Sequence, residues 1–214
     1  MRGKSDITVL YSHPLLLTSQ PPTPLPPLKI NTELTTIKDS ISLGHANLGV
    51  RTLNCTSTNF RRALTLGTTV LHYVGHGSLG YLPFENDSGS VHGINMEKLR
   101  ILATGITGRT LKLVFLNACG TLEAGRVFES LGVGSVVCIG TESSPENPDK
   151  GEKDGGMVED EVAQKFSSEF YLALSSRKTV REAFNIGLAS VRAMERSYEE
   201  VRSRQGRKRP PCTV

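Results

Sequence analysis

Five short apolar runs alternate with helix-patterned segments, and this alternation restricts the fold more than any other feature of the chain. Ile7–Tyr11, Leu48–Leu53, Thr68–Val74, Leu111–Leu116 and Gly134–Ile139 read as strands. Between them, Asn31–Leu43 carries Leu34, Ile37 and Ile41 at helical spacing. Asn59 reads as the N-cap of a short helix through Leu66. Asn95–Leu102 and Leu122–Leu131 read as further helices, the latter stopped by Gly132. Two helices close the pattern. Val158–Ser175 bears a stripe of Val162, Phe166, Phe170 and Leu174, and Thr179–Tyr198 opens on Thr179 with Glu182 three residues on, a capping box. Strand–helix alternation of this kind predicts an α/β fold with a mainly parallel central β-sheet and helices on both faces. Pro21–Pro27 holds five prolines in seven residues and reads as a surface loop or semi-rigid spacer unable to pair in a sheet.

The chain has 214 residues, enough for one domain with a substantial core. We expect that domain over residues 1–200 and a basic, disordered tail over 201–214. Five basic residues and no acid lie between Arg202 and Arg209, whereas Glu142 to Glu161 holds eight acids against Lys150 and Lys153. No apolar run reaches the ~18 residues that span a membrane, and the N-terminus lacks the pattern of a signal peptide. The four cysteines, Cys55, Cys119, Cys138 and Cys212, are too widely spaced for a zinc ribbon or a disulfide framework. A reducing, cytoplasmic setting is expected, and the basic tail is compatible with nuclear import. No metal or other cofactor is expected, no membrane, and no nucleic-acid partner.

Residues 75–80 spell GHGSLG, a literal dinucleotide-binding pattern after a strand. That chemistry needs a helix next, whose N-terminus holds the pyrophosphate. Pro83, Asn86, Asp87, Ser88 and Gly89 argue against a helix there, so the pattern lacks its context. A different reading covers two strand ends at once. His76 and Cys119 each follow an apolar strand, and each precedes a glycine. Parallel sheets hold ligands beyond the carboxyl ends of their strands. An imidazole there can take the proton of a thiol, whose resting pKa of about 8.5 leaves it a weak nucleophile at neutral pH. The glycines let a substrate carbonyl approach the backbone, and the N–H groups of Gly77 and Cys119 are the candidate oxyanion hole. His72 reads as a core or supporting residue, Cys138 as an inert strand residue, and His13, His45 and His92 as loop residues. Cys55 and Cys212 have no reactive context.

The stretches VLHYVGHGS and VFLNACGT resemble the histidine and cysteine motifs of the CHAT domain, a caspase-like branch of the clan that includes caspases, separases and legumains. ITVLYSHPLL resembles the opening strand of such domains, GVGSVVCIGTES the strand after the cysteine helix, and VAQKFSSEFYLALSSRKTVREAFNIGLASVRA the closing helix pair. The resemblance spans about Ser5 to Ser197. It implies a caspase-like sandwich and a cysteine endopeptidase with a His76–Cys119 dyad, acting through a thioester acyl-enzyme on protein substrates. It also implies release from inhibition by a regulatory or sensor protein. Asn117, two positions before the cysteine, and Glu142, just after the fifth strand, are the candidate substrate-binding residues, for cleavage after a basic or medium-sized polar side chain. The alternative is a catalytically silent scaffold of the same fold that serves interaction or signalling.

Overall fold

The computed structural model describes residues 5–17, 21, 23–78, 80–105, 110–138 and 160–205. The chain divides into two compact units. The first comprises Met1–Ile30 and Leu48–Glu142, and the second Asn31–Asn47 and Ser143–Val214.

The first unit is built on a five-stranded sheet of β1 (Ser5–Ser12), β4 (Val50–Asn54), β5 (Thr68–Gly75), β8 (Leu113–Asn117) and β9 (Ser135–Cys138). The spatial order is β4-β1-β5-β8-β9, and every pairing is parallel. The expected α/β class with a parallel sheet is therefore what the chain adopts. Register aligns Leu10 with Tyr73, Leu71 with Val114, and Tyr73 with Leu116. These residues share one face. Against it lie Phe60 and Ala63 of α2 (Ser57–Leu66), Leu99 of α3 (Met96–Leu102), and Ala124, Val127 and Phe128 of α4 (Leu122–Ser130). Phe60 is the hub, its ring centroid 5.5 Å from that of Phe84 and 6.4 Å from that of Phe128. Removing one such side chain from water stabilises the fold by about 2–3 kcal/mol. Ile7, Val9, His72 and Phe115, on the opposite face, are buried too, which is why these strands read as apolar runs rather than alternating ones.

Four local expectations are corrected. The stretch after His76, where the sequence offers no strand and His92 reads as a loop residue, forms an antiparallel hairpin of β6 (Tyr81–Glu85) and β7 (Val91–Asn95), which takes in His92. Leu82, Phe84 and Ile94 carry it into the core. Asn86 Oδ1 makes its turn by accepting from the N–H groups of Ser88 (3.0 Å) and Ser90 (2.8 Å), and Gly89 takes the left-handed φ of 73°. The proline-rich run does pair. β3 (Thr23–Pro24) lies antiparallel to β2 (Leu16–Leu17), an edge position where proline's missing N–H is tolerated. The N-cap of α2 is Thr56, whose hydroxyl accepts from Asn59 N–H at 3.1 Å, because the Asn59 amide bonds Asn54 instead. The last helix runs well past Tyr198.

The second unit consists of helices α1 (Ile30–Leu43), α5 (Asp160–Ser175) and α6 (Val180–Gln205). Phe166, Phe170 and Phe184 form an aromatic seam between α5 and α6, with centroid spacings of 5.8 and 5.5 Å. Gly187 permits the close approach, since a Cβ there would meet the Phe166 ring at 3.0 Å. The capping box is present: Glu182 N–H donates to Thr179 Oγ1 (3.2 Å) and Thr179 N–H to Glu182 Oε2 (2.8 Å). Among the described residues, no helix is long and apolar enough to cross a membrane.

Candidate active site

The candidate site lies at the carboxyl rim of the sheet, where β5 and β8 end side by side. Their last aligned pair is Val74 with Asn117. Two residues further along each chain lie His76 and Cys119. Both are half-buried. Beyond them the two loops touch: a Cβ added to Gly77 would overlap the backbone of Cys119, its nitrogen, carbonyl carbon and oxygen included. Glycine at position 77 is thus a steric requirement of the contact between loops. Gly120 has a φ of 66°, the left-handed value that turns the chain out of β8 towards α4. The residue after the cysteine is therefore glycine for a conformational reason that holds whatever the chemistry of the site.

Thr121 braces that turn. Its side chain is buried, and its hydroxyl donates to the Ala118 carbonyl at 3.0 Å rather than capping α4. The His76 loop is braced from the hairpin. Ser12 Oγ and Tyr73 Oη both donate to the Pro83 carbonyl, at 2.6 and 2.7 Å. Gly75 fits beneath them, since a Cβ there would stand 2.7 Å from Tyr73 Oη and 3.0 Å from Ser12 Cβ. Both ends of the segment that carries His76 are therefore fixed to the sheet. Burial, followed by the nearby Cys55 and Glu85, pushes the Tyr73 phenol well above its ordinary range, so it stays protonated and donating.

The other singled-out residues fall as follows. Asn117 is buried at the end of β8, on the sheet face that bears His72 and Phe115. His72 is buried, its ring 4.7 Å from that of Phe115. His13 Nε2 accepts from Leu28 N–H at 3.2 Å, a structural role. Cys55 is buried in the core, and desolvation followed by the Glu85 carboxylate drives its thiol well above the usual range. Cys138 ends β9, aligned with Leu116. Burial and then the Glu129 carboxylate push its thiol up to about 11, against hydrogen bonding with Thr121 that lowers it. Glu142 and Cys212 lie outside the described residues, as does most of the acidic segment. Among the described residues, no three His, Cys, Asp or Glu side chains cluster as a metal site would require.

Sequence reasoning missed Ser12, Tyr73 and Thr121. Ser12 and Tyr73 meet Pro83 only through the fold, over 71 and 10 residues respectively. Thr121 did carry a signal, a hydroxyl residue directly before a helix, but the signal pointed to a cap. A scan against known protein families finds no matching family model, and a search of curated proteins finds no match either.

Proposed function

We propose that this chain is a cysteine endopeptidase in which Cys119 is the nucleophile and His76 its general base. The observation that carries the reading is the meeting of the Gly77 and Cys119 backbones just past the ends of two adjacent parallel strands. In the proposed cycle, His76 takes the thiol proton as the sulfur attacks the scissile carbonyl carbon. The carbonyl π electrons move to oxygen, which accepts N–H bonds from Gly77 and Cys119. Collapse of the adduct expels the amine, which leaves with the proton from the imidazolium, and a thioester remains. Water then attacks the thioester, His76 takes its proton, and carboxylate and thiol are released. The cycle needs neither metal nor cofactor. Asn117 lies close enough in the chain to contribute to the P1 pocket, and the motif resemblance to CHAT peptidases favours control by a regulatory or sensor partner.

The test is N-terminal labelling of a proteome treated with wild type or with Cys119→Ala. Cleavages after basic or medium-sized polar residues, present with wild type and absent with the variant, are the expected result. Identical termini from both proteins would defeat the assignment, and a preference for aspartate at P1 would defeat the specificity.

One observation favours the second reading, a catalytically silent interaction module. The His76 Nε2 atom has no solvent exposure. The two readings part on thiol labelling. A silent site leaves Cys119 alkylating at an ordinary thiol rate, whereas a working dyad speeds it near neutral pH.

A further inference from the structure

We propose that Thr23–Lys29 is a docking segment for a polyproline-binding groove of the SH3 type, one with an acidic pocket. The sequence here is TPLPPLK. Thr23, Pro24, Pro26, Pro27 and Lys29 are exposed, while Leu25 and Leu28 are half-buried. Exposure therefore repeats every three residues, the period of a polyproline II helix. The chain has neither helix nor strand from Leu25 to Lys29, and proline fixes φ near the polyproline value.

The inward edge is attached to the protein's own backbone. Leu25 N–H donates to the Leu15 carbonyl at 3.0 Å, and Leu28 N–H to His13 Nε2 at 3.2 Å. The outward edges present two dipeptides ending in proline, Thr23–Pro24 and Pro26–Pro27, three residues apart. Aromatic-walled grooves that read P-x-x-P ligands take dipeptides at that spacing. Lys29 follows two residues after Pro27 and is exposed, so its ammonium is available to a carboxylate pocket beyond the two proline slots. Groove-binding ligands leave their third edge unused, and here that edge is the one turned to the protein.

The segment is also held in place before it binds. Leu17 pairs with Thr23 and Leu16 with Pro24 at one end, and Leu28 N–H is hydrogen-bonded to His13 at the other. Little chain entropy then remains to be lost on docking. The inference does not depend on the dyad and stands whether or not Cys119 is a nucleophile.

The experiment titrates the purified full-length chain against purified SH3 domains with acidic specificity pockets, and against WW domains, by calorimetry. Saturable binding to at least one such SH3 domain is expected, with none to the WW domains. Pro24→Ala and Pro27→Ala should each weaken it by about tenfold or more. Lys29→Ala should weaken it by a similar factor and abolish its salt dependence. All three side chains are exposed, so melting temperature and Cys119 labelling should match wild type. Failure to bind any of the SH3 domains, preference for WW domains, or binding unaffected by the two proline variants would each overturn the proposal.

Discussion

Cys119 and Cys138 sit at the ends of neighbouring strands, and their surroundings differ in one respect that bears on the proposed chemistry. β9 ends on Cys138 while the residue is still within the ladder, paired with Leu116. Its sulfur lies where a Cβ on Gly125 of α4 would overlap it, and its thiol is pushed up to about 11 by burial and Glu129. β8 ends two residues before Cys119, and the left-handed Gly120 swings the chain away from the sheet. The cysteine emerges half-exposed against a second loop that bears a histidine. A thiol inside the ladder is a small hydrophobe. A thiol past the end of the ladder, just before a glycine turn, is the one the proposed function employs.

The strongest way to break this comparison is to delete each sulfur. On the proposed assignment, Cys119→Ala lowers peptide turnover by about 10⁴-fold or more, and Cys138→Ala leaves it within about twofold of wild type. Equal losses from both variants, measured at matched folded fraction, would mean that the strand-end distinction has no catalytic content. Next in size is Gly77→Ala. Its methyl group would overlap the Cys119 backbone, so the two loops must part. Overpacking of this kind costs about 1–3 kcal/mol of stability. Displacing one oxyanion donor costs about 100- to 1000-fold in rate. A variant with full turnover and an unchanged melting temperature would remove the contact on which the proposed function rests.

The third test compares the two thiols directly by alkylation with iodoacetamide. A thiol at about 11 holds about one part in 10⁴ as thiolate at pH 7. Its higher intrinsic nucleophilicity recovers part of that deficit, so Cys119 in a working dyad should label on the order of 100-fold faster. Cys138 labelling should rise about tenfold per pH unit up to about pH 10. The same shift links to stability. A thiol whose folded pKa is raised stabilises the fold fully below its unfolded pKa, and that contribution fades as pH rises through about 9 to 11. Cys55, Tyr73 and Tyr171 are raised in the same sense, so alkaline denaturation should begin in this window. A melting temperature flat from pH 8 to 11 would contradict it.

The strands were legible because burial on both faces writes itself as an uninterrupted apolar run, and β5 and β8 could be aimed at one rim from the fold class alone. The hairpin after His76 was not legible. Pro83 and the polar turn conceal Leu82, Phe84 and Ile94, and strand pairing here opposes Pro83 to Gly93, two residues depleted in strands. Its consequence, the double donation from Ser12 and Tyr73 to the Pro83 carbonyl, was hidden with it. The proline run reads as unable to pair because composition carries no information on edges. In the structure Pro24 occupies one. Asn59 and Thr56 both suit an N-cap by residue type, and only the position of Asn54 decides between them.

Thr121 links the two cysteines, so its removal gives the smallest and most discriminating effect. Its hydroxyl donates to the Ala118 carbonyl, next to Cys119, and when Cys138 ionises the same proton can turn to its thiolate, which lowers that pKa. Thr121→Val preserves the volume and removes both bonds. Leaving the Ala118 acceptor without its buried donor costs about 1–2 kcal/mol. The Cys138 thiol, without the bond that favours its thiolate, rises further, and its labelling at pH 9 slows. The Cys119 turn, without its brace, samples more geometries, so kcat falls several-fold while KM holds. On the proposed assignment, a single substitution thus slows Cys138 through its pKa and Cys119 through its position. Faster labelling of Cys138 in Thr121→Val would show that the hydroxyl shields that thiol rather than stabilising its anion, and would reverse the electrostatic half of the comparison.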